Sequence, residues 1–268
     1  MTREQRRRAF GDVADTYDRL RPSYPAELVD DVIAYAGIDG TSEGALEVGS
    51  GTGKATILFA QRGVPVHGIE PSAEMAAIAR QACAAYDGVE IEQSDFEDYV
   101  PGGQRFRLLF SAQAWHWVRP EVRYVKAREV LVSGGAIALF WSRPRWERSP
   151  HRQAMLDAYR HAAPDFEAVG RPGPMNPEHE GPAKLWGDWP DELSSAPGFE
   201  EAEIRSYDWS TTYSADRYVE LLGTHSDHVL LAEDERRRLF DAVRGQIEAL
   251  GGGLEMAYVT DLYLARAA

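Results

Sequence analysis

The 268-residue chain has little that would tie it to an oxidising compartment, a membrane or a nucleic acid. Cys83 is its only cysteine, so an intrachain disulfide and a thiolate metal cage are both excluded, no metal is expected, and a reducing, cytoplasmic setting fits. No apolar run approaches the ~18 residues of a membrane helix. The basic cluster Arg3, Arg6, Arg7 and Arg8 gives way to Ala9, Phe10, Gly11 and Asp12, so it does not begin a secretory leader and reads as a solvated helix start. Positive charge is scarce, with 29 Lys and Arg against 43 Asp and Glu and a formal net charge of -14. Lys and Arg must displace the counterions of a phosphate backbone, so no nucleic-acid partner is expected. Repeats and low-complexity tracts are absent.

What is present is ordinary globular usage, 44% hydrophobic and 27% charged, at a length that suits a single domain over residues 1–268. Between about residues 45 and 141, short apolar runs alternate with helical patterns, the arrangement that makes parallel strands joined by crossover helices. Strands are expected at 45–48, 66–69, 89–93, 108–112 and 136–141. Helices should begin near Lys54, Ser72 and Pro120, with Gly134 and Gly135 ending the third. Leu28, Val29, Val32, Ile33 and Ala36 share one helical face, which makes residues 1–37 a helical cover docked on the sheet. Residues 143–190 hold eight of the fifteen prolines and three of the seven tryptophans, Trp146, Trp186 and Trp189, and read as an inserted lid. A sixth strand within 198–214, helices forming a second cover over 215–250 and a last strand over 255–265 complete the chain.

The chemistry concentrates where the first strand runs through Glu47 into Gly49, Ser50, Gly51, Thr52 and Gly53, and then opens a helix at Lys54. Glycines allow left-handed backbone and let N–H groups approach a ligand closely. Glu70 follows Gly49 by 21 residues at the end of the second strand, where a carboxylate can accept both hydroxyls of a ribose. A nicotinamide or flavin dinucleotide would use a similar loop. Against it, Lys54 stands where that fingerprint needs Gly or Ala, and Glu47 would repel a pyrophosphate while suiting the ammonium of an amino-acid moiety. Asp95, at the end of the third strand, offers a carboxylate to an exocyclic amine.

These motifs, Glu47 to Gly53, Gly68-Ile69-Glu70-Pro71-Ser72 with Met75, Ser94-Asp95-Phe96 and Ser111-Ala112-Gln113-Ala114-Trp115-His116-Trp117, resemble those of the class I S-adenosylmethionine (SAM)-dependent methyltransferases. The likeness is to their small-molecule branch, methyltransferase type 11 or trans-aconitate methyltransferase-like, and residues 10 to about 142 carry it. The resemblance implies a Rossmann-like, doubly wound α/β sheet of seven strands, mostly parallel with the last antiparallel, and SAM as cofactor with S-adenosylhomocysteine as product. By that likeness Gly49, Ser50, Gly51 and Gly53 line the methionine part, Glu47 faces the same end, and Glu70, with Pro71 beside it, holds the ribose. Met75 packs on the adenine, Asp95 accepts from its amino group and Phe96 offers a backbone donor. Tyr17, Arg21 and Tyr24 cover the methionine end, with Arg21 pairing the carboxylate bidentately.

Gln113 begins a run placed where open α/β sheets bind ligands. It could face the cofactor, while Trp115 or Trp117 meets the acceptor, since aromatic faces attract a sulfonium. His116 has the intrinsic pKa of a general base, although a packing or hydrogen-bonding role is commoner and a carboxylate acceptor would need no base. His225 and His228 share a helical spacing and read as a solvated face, with either an alternative base. No Asn-Pro-Pro-Tyr or Asp-Pro-Pro-Tyr run follows the fourth strand, so a small-molecule acceptor is expected over a macromolecular one. A SAM-binding protein without transferase activity stays open, and the sequence does not set the oligomeric state or the acceptor.

Overall fold

The computed structural model describes residues 23–38, 43–164, 166, 188–224, 228 and 231–268. The first helix among the described residues, α1 (Ala26–Ala36), buries Leu28, Val29, Val32 and Ala36, on the face read from sequence. It stops at Gly37, whose φ of 68° lets its N–H turn back to the carbonyls of Ile33 and Ala34. Then β1 (Ala45–Val48), α2 (Lys54–Ala60), β2 (Val66–Ile69), α3 (Ala73–Cys83) and β3 (Val89–Glu92) alternate as expected. Ser72 caps α3 by accepting the N–H of Met75 at 3.3 Å.

The chain continues through β4 (Phe106–Ala112), a 3-10 turn at Trp115–Trp117, α4 (Pro120–Val130) and β5 (Leu131–Pro144). Here one expectation is corrected. Gly134 and Gly135 do not end the helix, which stops at Val130; they form an irregularity inside β5. The register against β4 jumps from Phe106–Leu131 to Leu108–Ala136, and a Cβ on Gly135 would lie 3.0 Å from the Val132 carbonyl oxygen and 3.1 Å from that of Arg107. Gly135 permits that close backbone approach and Gly134 a left-handed φ of 69° within the strand, and neither caps the helix.

After a 3-10 turn at Trp146–Arg148 come α5 (Arg152–Ala162), α6 (Trp189–Ser194), β6 (Glu203–Ser214), α7 (Ala215–Leu222), α8 (Glu233–Ala249) and β7 (Gly253–Arg266). The seven strands form one sheet in the order β3-β2-β1-β4-β5-β7-β6. Its pairings are parallel from β3 through β5, and β7 runs antiparallel between β5 and β6. This is the doubly wound α/β architecture expected.

Each face of the sheet buries its own apolar layer. Leu46, Val48, Leu109, Ile137, Leu139 and Trp141 belong to one. Phe59, Phe110, Phe140, Leu262 and Leu264 join the α1 face in the other. A third cluster lies beyond the sheet. Pro144 pairs with Tyr258, and past that point residues 253–257 of β7 pair with β6 alone. This projecting pair supplies Tyr213, Leu254, Met256 and Tyr258, around which Met155 and Tyr159 of α5, Tyr218 and Leu222 of α7, and Leu239, Val243 and Ile247 of α8 close. The projection leaves from the edge where β1, β2 and β4 end, so the helical cap stands at the carboxyl edge of the sheet.

Candidate functional site

Three left-handed glycines shape the turn after β1: Gly49 at φ 76°, Gly51 at 57° and Gly53 at 90°. Each has a different neighbourhood. A Cβ on Gly49 would come within 2.4 Å of the Ala114 methyl carbon, and one on Gly53 within 3.1 Å of Cys83 Sγ. One on Gly51 would meet nothing within 4 Å. The first and third are therefore glycine for packing, while the second faces open space at the carboxyl edge. A cradle of this kind, walled by backbone on one side and open on the other, fits the amino-acid part of a SAM-sized ligand.

Glu70 lies across this cradle. Its Oε2 accepts the N–H of Gly51 and its Oε1 that of Ser72, both at 2.9 Å. Those bonds fix the carboxylate beside the glycine loop, at the end of β2. Ser50 Oγ is buried nearby without a hydrogen-bond partner among the described residues, a polar atom that a ligand could satisfy. Pro71 is half-buried and Met75 is buried behind them. Asp95 is half-exposed at the end of β3. The Phe96 side chain packs inward on Trp115 at 5.7 Å between ring centroids, which leaves only its backbone for a ligand.

Glu47 departs from the expected picture. Its side chain turns under the loop, is 1% exposed and takes a hydrogen bond from the Thr56 hydroxyl. Burial, reinforced by the charge of Glu70 and opposed by the Thr56 bond, pushes its carboxyl up to about 8. Near neutrality it is mostly an uncharged acid supporting the loop from below, so it presents no carboxylate to an ammonium group.

At the end of β4, Gln113 holds φ 60°, the one non-glycine residue with positive φ among those described. Its N–H bonds the Phe140 carbonyl at 2.9 Å and its side-chain amide donates to the Ser142 carbonyl at 3.0 Å. Such backbone is costly for a residue with a Cβ and persists where the surroundings over-determine it. The Ser142 hydroxyl in turn lies 2.8 Å from Thr260 Oγ1, to which Trp209 Nε1 donates at 2.9 Å. The site's rim is thus bonded into the strands that carry the cap.

Trp115 is fully buried against Phe96 and Tyr124, so of the two tryptophans expected to meet an acceptor it is packed away, while Trp117 is half-buried. The Trp141 indole N–H donates to His116 Nδ1 at 3.4 Å. Trp189 stacks on Trp141 with centroids 4.7 Å apart, and Trp146 joins the cap cluster. Trp186 lies outside the described residues.

Tyr24 sets its ring edge-on to Phe140 at 5.0 Å, at the foot of α1. That helix is tied to the sheet by Arg107 Nε on the Ala36 carbonyl (2.8 Å), Arg266 Nη2 on that of Tyr35 (2.7 Å) and the Tyr207 hydroxyl on Asp31 (2.6 Å). Tyr17, Arg21 and His225 fall outside the described residues. His228 does not lie on a solvated face: it is fully buried in the cap, bonded to the Tyr159 hydroxyl at 2.8 Å and flanked by Phe166 and Phe240. Its apolar neighbours in α5 and α8 are distant in sequence, which is why spacing alone misread it. Among the described residues no cluster of His, Cys, Asp and Glu could hold a metal ion, and no helix is long and apolar enough to cross a membrane.

Comparison with known proteins agrees with this geometry. A profile of the methyltransferase domain matches residues 45–135, from β1 into β5. An uncharacterized methyltransferase of Mycobacterium tuberculosis is 26% identical over 257 residues, 94% of this chain and 93% of that protein. CRG1 of Saccharomyces cerevisiae, named as a probable S-adenosylmethionine-dependent methyltransferase, is 30% identical over 131 residues, 47% of this chain and 43% of its own length. In three dimensions, a protein of Anaeromyxobacter dehalogenans provisionally assigned as a type II methyltransferase shares the fold with a TM-score of 0.62 at 20% identity, covering 92% of this chain and 97% of that one.

Proposed function

Because this chain is a class I SAM-dependent methyltransferase, we propose that its acceptor is a small organic molecule enclosed between the carboxyl edge of the sheet and the helical cap. The observation that carries this reading is the cap itself. Helices α5, α7 and α8 share one apolar cluster with the projecting ends of β6 and β7, at the edge where Gln113, His116 and Ser142 stand. A roof of that kind suits a molecule that enters a compartment, and the formal charge of -14 disfavours a polyanionic partner.

In this proposal the backbone of Gly49, Ser50, Gly51 and Gly53 receives the amino-acid end of SAM, and Glu70, with Pro71 behind it, holds the ribose. Met75, Asp95 and the Phe96 backbone receive the adenine. Gln113 closes the cofactor side, and Tyr24, with Tyr17 and Arg21, covers the methionine end. When bound, SAM supplies a methyl group made electrophilic by its sulfonium. The protein's task is then to align the acceptor with that methyl and keep water out. His116 and Trp117 are assigned to the acceptor side. The cover segments at 1–37, 143–190 and 215–250 act with the sheet as one cytoplasmic domain.

Incubation with methyl-labelled SAM and fractionated cell extract tests this. Label is expected in a low-molecular-mass fraction. Label in RNA, DNA or protein, with none in metabolites, overturns it.

A further inference from the structure

We propose that Thr260 and the side chain of Gln113 are positioning residues for the cofactor: with Ser142 and Trp209 they form a strut that holds the turn after β4 against the glycine loop. That SAM uses this loop rests on the cofactor placement proposed above; the strut does not.

Beyond the Ala112–Phe140 pair of β4 and β5, the Gln113 N–H reaches the Phe140 carbonyl at 2.9 Å. Bonds in a parallel ladder recur every second residue on both strands, so a continued β4 would bring the Trp115 N–H to the Ser142 carbonyl. The chain turns first. Gln113 takes φ 60°, residues Trp115–Trp117 form the 3-10 turn, and the Gln113 side-chain amide donates to the Ser142 carbonyl at 3.0 Å. A side chain thus stands in for the rung that the turn removes. Left-handed backbone is unfavourable for a residue with a Cβ and persists where its surroundings hold it, and this tether is such a hold.

Ser142 is itself anchored. It pairs with Thr260 across β5 and β7, and its hydroxyl lies 2.8 Å from Thr260 Oγ1. Thr260 is fully buried, and its Oγ1 also accepts from Trp209 Nε1 at 2.9 Å, since an indole nitrogen only donates. The Trp209 ring is held in turn by stacking on Tyr258, with centroids 4.6 Å apart. One buried hydroxyl therefore joins β6, β7 and β5 to the turn.

At its other end the turn bears on the cofactor loop. A Cβ on Gly49 would fall 2.4 Å from the Ala114 methyl carbon, so Ala114, the residue after Gln113, fills the space beside the first glycine. Without the strut, Gln113 relaxes toward ordinary angles and Ala114 moves against Gly49. Close packing leaves no slack to absorb that movement.

Calorimetry with S-adenosylhomocysteine on the intact protein, beside denaturant titrations that report folding, tests the strut. Thr260→Val removes the hydroxyl and should lower affinity at least about tenfold, with Thr260→Ser within about twofold of the parent. Gln113→Gly relieves the left-handed backbone yet lacks the amide, and should also bind at least about tenfold more weakly. Lost stability alone would leave the affinity of the folded protein unchanged, so parent-like affinity in Thr260→Val or Gln113→Gly overturns the proposal. Both changes cut one strut, so the double variant should lose no more than about twofold beyond Gln113→Gly, and additive losses overturn it. A crystal structure of the unsubstituted protein with S-adenosylhomocysteine needs no variant: the Gln113 amide should stay on the Ser142 carbonyl, and its rotation onto the ligand overturns the strut. Should the ligand lie away from residues 49–53, the cofactor placement fails, while the same variants' non-additivity in stability still decides the strut.

Discussion

The cofactor half and the cap half of this molecule are built by opposite means. Around β1, β2 and β3 the site is made of backbone and near neighbours: left-handed glycines, an end-of-strand carboxylate, a serine cap three residues from the methionine it serves. Around β5, β6 and β7 it is made of side chains brought from far apart, Trp141 to His116, Gln113 to Ser142 to Thr260, Tyr159 to His228. A backbone site tolerates almost no change at a few positions. A side-chain site can be re-lined without altering the frame, which is where acceptor specificity can vary.

The largest expected effect that separates the halves comes from Glu47. Its pKa rises from the ordinary 4.5 to about 8. Between those values the unfolded chain has released a proton that the folded chain keeps, so this contribution is fully present below about pH 4.5 and is lost as pH rises toward 8. The loss is on the order of 3–5 kcal/mol. Denaturant titrations of the parent and Glu47→Gln across pH 5 to 9 should show that slope in the parent and its disappearance in the variant; parallel curves break the account of a buried acid under the glycine loop. Next, Leu239→Ala, in the cap core, should cost about 2–4 kcal/mol of stability while SAM affinity by calorimetry stays within about twofold. A matching fall in affinity would mean the halves are not separable.

Gly51→Ala sharpens the contrast from the other side. A Cβ there meets no protein atom within 4 Å, so folding loses only the left-handed strain, about 1–2 kcal/mol. SAM affinity should nevertheless drop about 100-fold as the methyl enters the cradle, and an unchanged affinity would move the ligand elsewhere. The smallest effect on affinity is expected from Glu70→Gln, which keeps one oxygen, loses the charge that strengthens bonds to a ribose, and turns an NH2 toward the N–H of Gly51 or Ser72: about tenfold in SAM affinity, with some loss of stability in the loop. A dinucleotide control such as NADH should give no calorimetric signal in any of these proteins.

Where an element depends on its own few residues, it was legible in sequence. The crossover order of strands and helices, the Ser72 cap, Pro120 at a helix start and the spacing of Gly49 to Glu70 all follow from local pattern. What was missed involves partners the pattern does not contain. Gly134 and Gly135 looked like a helix stop, but they lie inside β5, with the Val132 and Arg107 carbonyls against Gly135. Glu47 looked like a ligand-facing carboxylate, but Thr56 and the loop above enclose it. Trp115 looked available and proved to be core, and His228 looked solvated and proved to be enclosed by α5 and α8.

By itself, the sequence determined a doubly wound sheet, the glycine turn and the acid that crosses it, because backbone angles and short-range periodicity are properties of adjacent residues. Only the tertiary structure decided which of the polar and aromatic side chains stay at the carboxyl edge of the sheet and which are packed away. Those outcomes depend on desolvation and on hydrogen-bond partners supplied across the sheet, and no local stretch of residues encodes what will be folded against it.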